Sequence, residues 1–387
     1  MIVTMTAKLK IKPTADQSHA LQETINTYHQ GCKLVSVVVF DTRKLMQSAI
    51  NKKTYHTLRG EIGLRSQMAQ SVIRTVIAKY RALRTNDHDW VYVRFRKQEY
   101  DLVWNRDYSL ISNRFSVNTL LGRIKVPFES KGMEKYLDGT WHFGTAKLMH
   151  KHRKWFLHIP MSKEIASPQI EELTQVVGID LGINFIAAAY DSQGKTIFFP
   201  GRAMKRKRAN YKRVRQELQH KRTCSSRRKL KQIGQRENRW MTDVNHQVSK
   251  ALVSRYGANT LFVLEDLTGV RSTTEKARMQ NRYLTVSWSF HQLRKMIEYK
   301  AGLSGSMSIA VDPKYTSQTC PKPDCGHIAK ANRDKRKHLF RCQKCGYQSN
   351  DDRIGAMNLA LRGKLYLLQS ASAARLRVQG SCQSAHR

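Results

Sequence analysis

Four of the seven cysteines in this 387-residue chain come in two pairs, and a glycine follows each pair. The first pair is Cys320-Pro-Lys-Pro-Asp-Cys325-Gly and the second is Cys342-Gln-Lys-Cys345-Gly. Glycine permits the positive φ that a tight turn needs after such a pair. Four thiolates presented by two turns complete a closed tetrahedral zinc site, which is structural rather than catalytic. The chain must therefore fold so that these two turns close around one zinc ion.

The other cysteines and the nearby histidines are not expected to bind this metal. Cys32, Cys224 and Cys382 stand alone and are interpreted as ordinary thiols. Seven cysteines are too few for a secreted disulfide scaffold of this length, so their clustering points to a metal in a reducing compartment. His327 and His338 lie between the two pairs and are interpreted as surface or nucleic-acid contacts rather than ligands.

The charge balance points to a polyanionic partner. The chain has 69 Lys+Arg against 29 Asp+Glu, which gives a formal charge of +40. Such a charge repels itself unless a polyanion neutralises it, and nucleic acid is the obvious polyanion. The basic residues run through most of the chain, which disfavours a basic membrane-surface helix. The N-terminus has no signal-peptide pattern, so we expect a soluble cytoplasmic protein, associated with the nucleoid of a prokaryote.

Residues 202–239 concentrate this charge, with 16 Lys/Arg against Glu217 and Glu237. The pattern predicts a basic helix or helical hairpin that continues to about Tyr256. A solvated charged face normally carries counter-charges, and these are missing here, so contact with nucleic acid is favoured. The residues predicted to make this contact are Lys205, Arg206, Lys207, Arg208, Lys212, Arg213, Arg227, Arg228 and Lys229.

The hydrophobic period changes twice in the N-terminal half. Residues 3–12 alternate as a strand does, and apolar spacing then predicts three or four helices over 14–85, with Thr14 or Asp16 as the first cap. Short β-branched and aromatic segments between turn residues predict strands from about 90 to 160, beginning with WVYVRFRK. The interpretation is a small antiparallel β-barrel that includes the first strand and is interrupted by the helical block.

The C-terminal half has the pattern of a mixed α and β domain. Residues 174–199 predict two or three consecutive antiparallel strands, and 260–267 predict a buried strand. A helix is expected at about 286–301, followed by a strand before the cysteines. A further helix is expected at 350–368. The tail 369–387 is rich in Ser, Ala and Arg and is predicted to be disordered.

Three carboxylates stand where burial is costly unless something pairs with them. Asp180 lies in an apolar strand, Glu265 ends a buried strand, and Asp352 begins a helix that Asn350 and Asp351 already cap. An acid on a hairpin strand, an acid on a parallel strand and an acid on a late helix follow the order of the RNase H-like fold. That fold brings the three acids together around two divalent metal ions, and oxygen ligands without histidine favour Mg²⁺.

Each of these acids also has an ordinary structural interpretation. Asp180 would then pair with a buried arginine, and Asp351 or Asp352 would only cap its helix. Glu265, which precedes Asp266, would lie at the surface. The order of the three acids along the chain favours the metal site over these alternatives, and it leaves the choice between Asp351 and Asp352 open.

Several segments carry a family resemblance: GIDLGIN, the basic helix after it, FVLEDL, and KYTSQTC…CG…CQKCG…NDDRIGAMNLA. With LRSQMAQSVIRTVIAKYRAL, VWNRDYSL and FSVNTLLGRIKVPF, they resemble the TnpB family of insertion-sequence transposons. Members of this family are also described as OrfB-type transposases and are relatives of type V CRISPR effectors. The resemblance covers residues 1 to about 365. One departure is the first cysteine pair, which has four intervening residues where two are usual.

The resemblance implies an RNA-guided DNA endonuclease with a multidomain α+β fold. The family's catalytic Asp, Glu and Asp fall on Asp180, Glu265 and Asp352, the last of them six residues before Asn358, which favours Asp352 over Asp351. These three would hold two catalytic Mg²⁺ ions, beside one structural Zn²⁺. The implied domains are a wedge β-barrel (1–13 and 86–165), a helical recognition domain (14–85), a RuvC nuclease domain (174–315 and 347–368) and a zinc ribbon (316–346).

The resemblance also implies the partners. The protein would bind a guide RNA derived from the transposon end and cut double-stranded target DNA, acting beside the transposon's separate transposase. It would recognise a short motif beside the target, while base pairing recognises the rest. The helical block offers polar candidates for this motif contact, although an ordinary exposed helix face explains them equally well. They are Tyr55, Ser66, Gln67 and Gln70.

Two other functions stay open at this point. A guided DNA-binding repressor descended from such nucleases would have lost an active-site carboxylate, whereas all three are present here. A strand-transferring transposase uses the same kind of metal site, but the sequence has no separate segment for binding transposon ends or for multimerisation.

Overall fold

The computed structural model describes residues 1–151, 153–266 and 288–383. It divides into two compact units: residues 2–164 form one, and Met1 together with the chain from Ile165 onward forms the other. Within the described residues, no helix has both the length and the apolar character that crossing a membrane requires.

An eight-stranded antiparallel sheet is the frame of the first unit. β1 runs along β8 from the pair Ile2 and Glu164 to the pair Ile11 and Trp155, and the end of β1 also pairs with β5. The first strand therefore belongs to a nearly closed, barrel-like sheet, as its alternating pattern predicts. The strands are β1 (Ile2–Ile11), β2 (Glu99–Leu102), β3 (Tyr108–Ile111), β4 (Arg114–Thr119), β5 (Gly122–Glu129), β6 (His142–Phe143), β7 (Ala146–Lys151) and β8 (Lys154–Glu164). Their order is β2-β7-β8-β1-β5-β4-β3, with β6 beside β8.

Three helices follow β1: α1 (Ala15–Thr42), α2 (Gln47–Gly60) and α3 (Ser66–Thr85). Thr14 caps α1, because its Oγ1 accepts the Gln17 N–H at 3.3 Å while the Gln17 side chain accepts the Thr14 N–H at 3.2 Å. This reciprocal arrangement is a capping box. The apolar residues that recur at helical spacing in α1 and α3 are buried: Leu21, Ile25, Tyr28, Cys32, Met68, Val72, Val76 and Tyr80.

The strand predicted for WVYVRFRK, residues 90–97, is wrong, since these residues join no sheet. Helix side chains bind their backbone instead. Ser36 Oγ donates to the Val93 carbonyl at 2.8 Å, and His29 Nε2 lies 2.7 Å from the Phe95 carbonyl oxygen. The alternation of apolar and polar residues therefore serves packing against the helices. Periodicity alone does not separate this case from a paired strand.

A five-stranded mixed sheet is the frame of the second unit. Its strands are β9 (Gln175–Asp180), β10 (Phe185–Asp191), β11 (Thr196–Pro200), β12 (Thr260–Glu265) and β13 (Met307–Val311). They lie in the order β11-β10-β9-β12-β13. β9, β10 and β11 are antiparallel neighbours, and β12 runs parallel to both β9 and β13. The predicted antiparallel strands and the predicted buried strand are thus confirmed.

Helices cover both faces of this sheet. Alternate residues of a strand point to opposite sides, so a single strand contributes to the packing on both faces. They are α4 (Arg202–Lys221), α5 (Cys224–Ile233), α6 (Arg236–Tyr256), α7 (Trp288–Leu303) and α8 (Asp351–Gln383). Phe262 of β12 packs with Leu252 of α6 and Leu293 of α7. Its neighbour Val263 points the other way and packs with Leu359 of α8. Within this core, α8 therefore packs on the face opposite α6 and α7.

A small three-stranded antiparallel sheet lies between β13 and α8 along the chain. It consists of β14 (Arg333–Asp334), β15 (Leu339–Arg341) and β16 (Gln348–Asn350). Phe340 is its fully buried centre and packs with Cys320, Cys342 and Ile354, the last of which belongs to the first turn of α8. The cysteine-bearing segment is thus anchored on the start of the last helix.

The backbones of α8 and β9 lie close together because glycine occupies the contact. A Cβ atom on Gly178 of β9 would lie 2.1 Å from the Ala356 carbonyl oxygen and 2.4 Å from the Ala360 nitrogen. A Cβ on Gly363 of α8 would lie 2.4 Å from a methyl of Val263. No real Cβ tolerates such distances, so these positions require glycine for space rather than for backbone conformation.

α8 continues to Gln383, into the segment for which the sequence predicts a disordered tail. The residues beyond 369 include several alanines together with Leu, Arg and Gln, which all have high helix propensity. A Ser-rich composition indicates a tail, but these residues extend an existing helix, whose nucleation is already complete.

Replacing Gly178 with alanine is expected to separate α8 from β9, because its Cβ would meet backbone atoms that cannot rotate away. The free energy of unfolding should fall by at least about 2 kcal/mol, as for other overpacked cores. Gly60→Ala is the control, since no described atom outside its own stretch of helix lies within 4 Å of its Cβ position. Denaturant unfolding of both variants checks this, and equal stability of Gly178→Ala and wild type would contradict the packing described.

Candidate functional site

Two of the predicted acids end neighbouring strands. Asp180 is the last residue of β9 and Glu265 is the last residue of β12. The two strands are parallel and pair up to Ile179 and Leu264, one residue before the acids. Since the carboxyl ends of parallel strands meet at one edge of a sheet, both carboxylates leave the sheet side by side.

The third acid approaches this edge from α8. Asn350 caps the helix, because its Oδ1 accepts the N–H groups of Asp352 at 3.1 Å and Arg353 at 3.2 Å. The Asp352 carboxylate is therefore not needed as the cap, and its Oδ2 atom is buried without a hydrogen-bond partner in the described part of the chain. One turn later, a Cβ on Gly355 would lie 3.0 Å from Cγ of Asp180. Glycine here lets the helix come directly against that carboxylate.

Each of the three carboxylates has a pKa above its usual range. Burial, together with the charges of Glu265 and Asp352, raises the pKa of Asp180 well above its usual range. Burial also raises the pKa of Glu265, against the opposing effect of a hydrogen bond from Thr316. Burial and the charge of Asp351 raise the pKa of Asp352 to about 6. Raised pKa values in neighbouring carboxylates are typical of a poorly solvated site.

A turn between β13 and the cysteines supports Glu265. Thr316 Oγ1 donates to Glu265 Oε1 at 2.8 Å. Asn358 of α8 holds this turn, since its Nδ2 donates to the carbonyls of Thr316 at 2.7 Å and Thr319 at 2.9 Å. The asparagine six residues after Asp352 therefore positions the residue that contacts Glu265.

Asp351 has a different environment from Asp352. It is fully buried, and its Oδ2 accepts the Arg333 Nε–H at 2.8 Å. His338 lies 3.6 Å from its other carboxylate oxygen and also contacts Asn184. Asp351 thus forms an ion pair with the small sheet, whereas one oxygen of Asp352 has no hydrogen-bond partner among the residues that the structure describes. This difference favours Asp352 as the third acid of the site.

The four paired cysteines converge. Their sulfur atoms all lie within 4.8 Å of one another, with 3.6 Å from Cys320 to Cys345 and from Cys325 to Cys342. In a tetrahedral site with Zn–S bonds of about 2.3 Å, sulfurs lie about 3.8 Å apart. The four thiols are therefore placed to hold a metal such as zinc. The three carboxylates are spread more widely, since no other such group in the described residues is this compact.

The turns that present the sulfurs have the expected form. Gly326 and Gly346, which follow the two pairs, have φ of +57° and +70°. Although burial raises the pKa of Cys342, hydrogen bonds from the backbone N–H groups of Cys345 and Lys344 bring it down to about 6. The backbone of this turn thus favours the thiolate, the form that binds a metal. The four intervening residues of the first pair do not prevent closure.

The predicted basic contacts lie on α4 and α5, and most face solvent. Arg208 is the exception: it is 7% exposed and its Nε lies 3.3 Å from Glu237 Oε1, which ties α4 to α6. Lys212 is half-buried, and Lys207 lies 4.3 Å from the Trp240 ring centroid. The exposed members of the set are Lys205, Arg206, Lys207, Arg213, Arg227, Arg228 and Lys229.

The four polar candidates of the first unit lie on α2 and α3. Gln67 is exposed, and Tyr55 and Ser66 are half-buried. Gln70 bridges the two helices, since its side chain bonds Gln47 at 3.1 Å and Asn51 at 3.1 Å. Gln70 thus already has a structural role.

Sequence patterns did not identify two of the groups that surround the acids. Thr316 lies in the segment KYTSQTC, which carried family resemblance but no assigned role. Arg333 contacts Asp351 only because the small sheet folds back over α8.

Two family models match parts of the chain. One is described as the Cas12f1-like TNB domain and matches residues 290–359. The other is described as "Probable transposase" of the OrfB type and matches residues 158–270. Together they cover most of residues 158–359, including the cysteine pairs.

Curated relatives carry the same names. The chain is 28% identical over 246 residues to the CRISPR-associated endodeoxyribonuclease Cas12f1 of Sulfoacidibacillus thermotolerans, an alignment that covers 59% of this chain and 56% of that protein. It is 27% identical over 241 residues to the TnpB-like protein MJ0751 of Methanocaldococcus jannaschii, covering 60% of this chain and 82% of the relative. The resemblance to the TnpB family is confirmed. The chain spans about half the length of the Cas12f1 relatives it matches.

A solved structure has the same fold. The chain matches the Cas12f1 protein of a Cas12f1-sgRNA-target DNA complex with a TM-score of 0.55 at 11% identity, covering 93% of this chain and 99% of that one. At this identity the match concerns the fold alone. The mixed α and β architecture predicted for the TnpB-like chain therefore has a solved counterpart.

The purified protein is expected to contain about one zinc per chain, because the four sulfurs already have the spacing of a tetrahedral site. Cys342→Ser should lose that zinc and unfold at a lower temperature, since the ion closes the core around Phe340. Cys224→Ser, which changes an exposed cysteine on α5, should keep both zinc and stability. Elemental analysis with thermal unfolding checks this, and full zinc content in Cys342→Ser would contradict it.

Proposed function

We propose that this chain is an RNA-guided DNA endonuclease that cuts double-stranded DNA with a RuvC-type site formed by Asp180, Glu265 and Asp352. The observation that carries the proposal is the meeting of these three acids at one sheet edge, where one buried Asp352 oxygen has no hydrogen-bond partner within residues 1–151, 153–266 and 288–383. The family and the fold are independent support. The name Cas12f1 belongs to an endodeoxyribonuclease, and its complex contains guide RNA and target DNA.

The sheet supports the RuvC assignment. Three antiparallel strands followed by two parallel ones, with acids at the ends of the first and fourth strands and on the last helix, follow the RNase H-like order. The remaining proposed domains are the wedge barrel, the helical recognition domain and the zinc ribbon, with the boundaries derived from the sequence. In this scheme the zinc is structural, because all four of its ligands would be protein sulfurs.

The acid site suits divalent cations such as Mg²⁺. A hard cation would bind the three carboxylates and favour their ionised form, which burial disfavours. It would also give a partner to Asp352 Oδ2, which has none in the described part of the chain. When bound, a pair of such ions activates water and stabilises the leaving oxygen of a phosphodiester. The chain's own groups keep the ligands in place. Thr316 orients Glu265 through a hydrogen bond. Asn350 caps the helix turn on which Asp352 lies. Gly355 has no side chain, so the helix can lie directly against Asp180.

Nucleic acid would neutralise the charge of the chain. We assign guide RNA contact to the exposed basic residues of α4 and α5, which have few acidic neighbours. The RNA would derive from the transposon end. Recognition of a short motif beside the target is assigned to the helical block, with Gln67 the most exposed of the four candidates.

The decisive experiment starts from the protein purified with its flanking transposon end, and sequences any RNA that accompanies it. The complex is then incubated with a plasmid library of randomised target-adjacent motifs and Mg²⁺, beside an Asp180→Ala control. Cleavage at guide-matched sites next to one motif, lost in the control, would support the endonuclease.

Other outcomes identify the alternatives. Guide-matched binding without cutting would favour the repressor. Absence of any bound RNA would refute RNA guidance and leave a transposase or a general nuclease. No described observation favours either over the guided nuclease, since all three acids converge.

Substituting any one of the three acids should reduce cleavage by about 10³-fold or more, because metal-assisted charge stabilisation supplies several kcal/mol. Asp180→Asn, Glu265→Gln and Asp352→Asn are nearly isosteric and should leave RNA binding intact. Asp243→Asn, on an exposed face of α6, is the matched control. Single-turnover cleavage rates and RNA affinity measure the two effects, and wild-type cleavage by Asp352→Asn would remove that residue from the site.

Replacing Arg227, Arg228 and Lys229 together with glutamine should weaken RNA binding. The slope of log affinity against log salt should fall by about 2, because each lost phosphate contact on a single strand contributes about 0.7. The control changes Lys10 and Lys12 to glutamine, since both already pair with Glu129. Filter binding over a salt series measures the slopes, and equal slopes for the two variants would argue against this surface.

A further inference from the structure

Tyr315 has a backbone conformation that a bulky residue rarely adopts. Its φ is +64°, in the left-handed region where a tyrosine is a genuine outlier. Its side chain is 45% exposed, so the fold gains little core packing in return. Strained residues persist only where the surrounding structure holds them, and they cluster at functional sites.

The turn that contains Tyr315 is held firmly. The Tyr315 carbonyl accepts the backbone N–H groups of Gln318 at 3.0 Å and Thr319 at 3.1 Å, and also the Thr319 hydroxyl at 2.9 Å. From α8, Arg362 donates to the carbonyl of Lys314 at 2.6 Å, and Asn358 donates to the carbonyl that follows Tyr315. Hydrogen bonds therefore fix the backbone on both sides of the tyrosine.

The position of this turn links it to the acid site. The next residue, Thr316, donates to Glu265 at 2.8 Å, so the tyrosine ring leaves the chain one residue from a group that contacts a site carboxylate. Lys314 Nζ lies 5.3 Å from the ring centroid. An exposed aromatic ring beside a basic side chain is the combination that binds unpaired bases and the adjoining phosphates of single-stranded nucleic acid.

We propose that Tyr315 is a positioning residue that stacks on an unpaired base of the DNA strand entering the acid site, with Lys314 at a neighbouring phosphate. This inference rests on the proposed nuclease function and names how the substrate strand is held. The strained backbone directs the ring outward, and the hydrogen bonds from α8 keep it at a constant distance from Glu265. Stacking tolerates every base, which suits an enzyme whose sequence choice comes from a guide.

The test uses substitutions that separate strain from stacking. Tyr315→Gly removes the ring but suits the positive φ, so it should fold at least as stably as wild type. Tyr315→Phe and Tyr315→Trp keep a ring. Tyr366→Ala is the matched control, because Tyr366 is another exposed tyrosine, 37% accessible, far along α8.

Two measurements are made on the full-length protein with the RNA it carries. One is the single-turnover cleavage rate. The other is the fluorescence of 2-aminopurine, placed at successive positions of an unpaired DNA strand and bound to each variant in an Asp180→Asn background. A stacked 2-aminopurine is quenched. The same series in an RNA strand distinguishes target DNA from guide RNA as the source of the base.

We expect Tyr315→Gly to cut about 10-fold to 100-fold more slowly, the effect of losing one stacked base. Quenching at one DNA position should disappear in this variant, while Tyr315→Phe, Tyr315→Trp and Tyr366→Ala resemble their parents. Unchanged quenching in Tyr315→Gly overturns the proposal, as does a Tyr315→Phe variant that behaves like Tyr315→Gly. Ring-dependent quenching confined to RNA also overturns it. Ring-dependent quenching of DNA by a protein that never cuts would support the stacking while refuting the nuclease.

Discussion

The close contact between α8 and β9 determines where the functional groups of the second unit lie. Glycine at 178 removes the Cβ atom that would hold the two backbones apart, and glycine at 363 removes one that would meet methyl groups of Val263 and Val176. Gly355 removes the one that would meet the Asp180 carboxylate. Because the helix lies this close, Asp352 on its first turn reaches the edge where β9 and β12 end. Asn358, two turns along, reaches the turn that orients Glu265. A single helix thus places one acid directly and supports another through hydrogen bonds.

The negative charges of the three acids destabilise the folded state that brings them together. Burial raises the pKa of Asp180, Glu265 and Asp352, and neighbouring negative charges add to this effect at Asp180 and Asp352, so the ionised triad destabilises the protein on its own. Arg333 offsets part of this repulsion, since its positive charge lowers all three pKa values, yet its guanidinium is bound to Asp351. Three acids in one poorly solvated site of a chain with net charge +40 form an arrangement that a bound cation would stabilise. Under the proposed function, that cation would be divalent.

Features that depend on residues near one another in the sequence were predicted, whereas contacts between distant segments were not. Alternating or helical periodicity located β1, α1 and α3, and the cysteine spacing anticipated a closed cluster, since both patterns reflect local geometry. Periodicity failed at residues 90–97, where tertiary hydrogen bonds from α1 replace a sheet. The ion pair of Arg333 with Asp351 depends on how the small sheet folds back, which cannot be predicted from residue spacing along the chain. The sequence did not predict that Arg208 is buried against Glu237, because this contact also joins two separate helices.

The two ends of the cysteine-bearing segment lie beside residues that position the acids. The chain leaves the large sheet at Val311, which pairs with Glu265 in the register of β12 and β13, and it returns at Asn350, which caps the helix carrying Asp352. The entry turn carries Thr316, and the exit strand adjoins Asp351. A metal that closes the four sulfurs therefore fixes the separation of these two ends, because Phe340 and Ile354 join the cysteines to α8. A closed four-sulfur ion performs no chemistry itself, but in this fold its loss would loosen both supports of the acid site together.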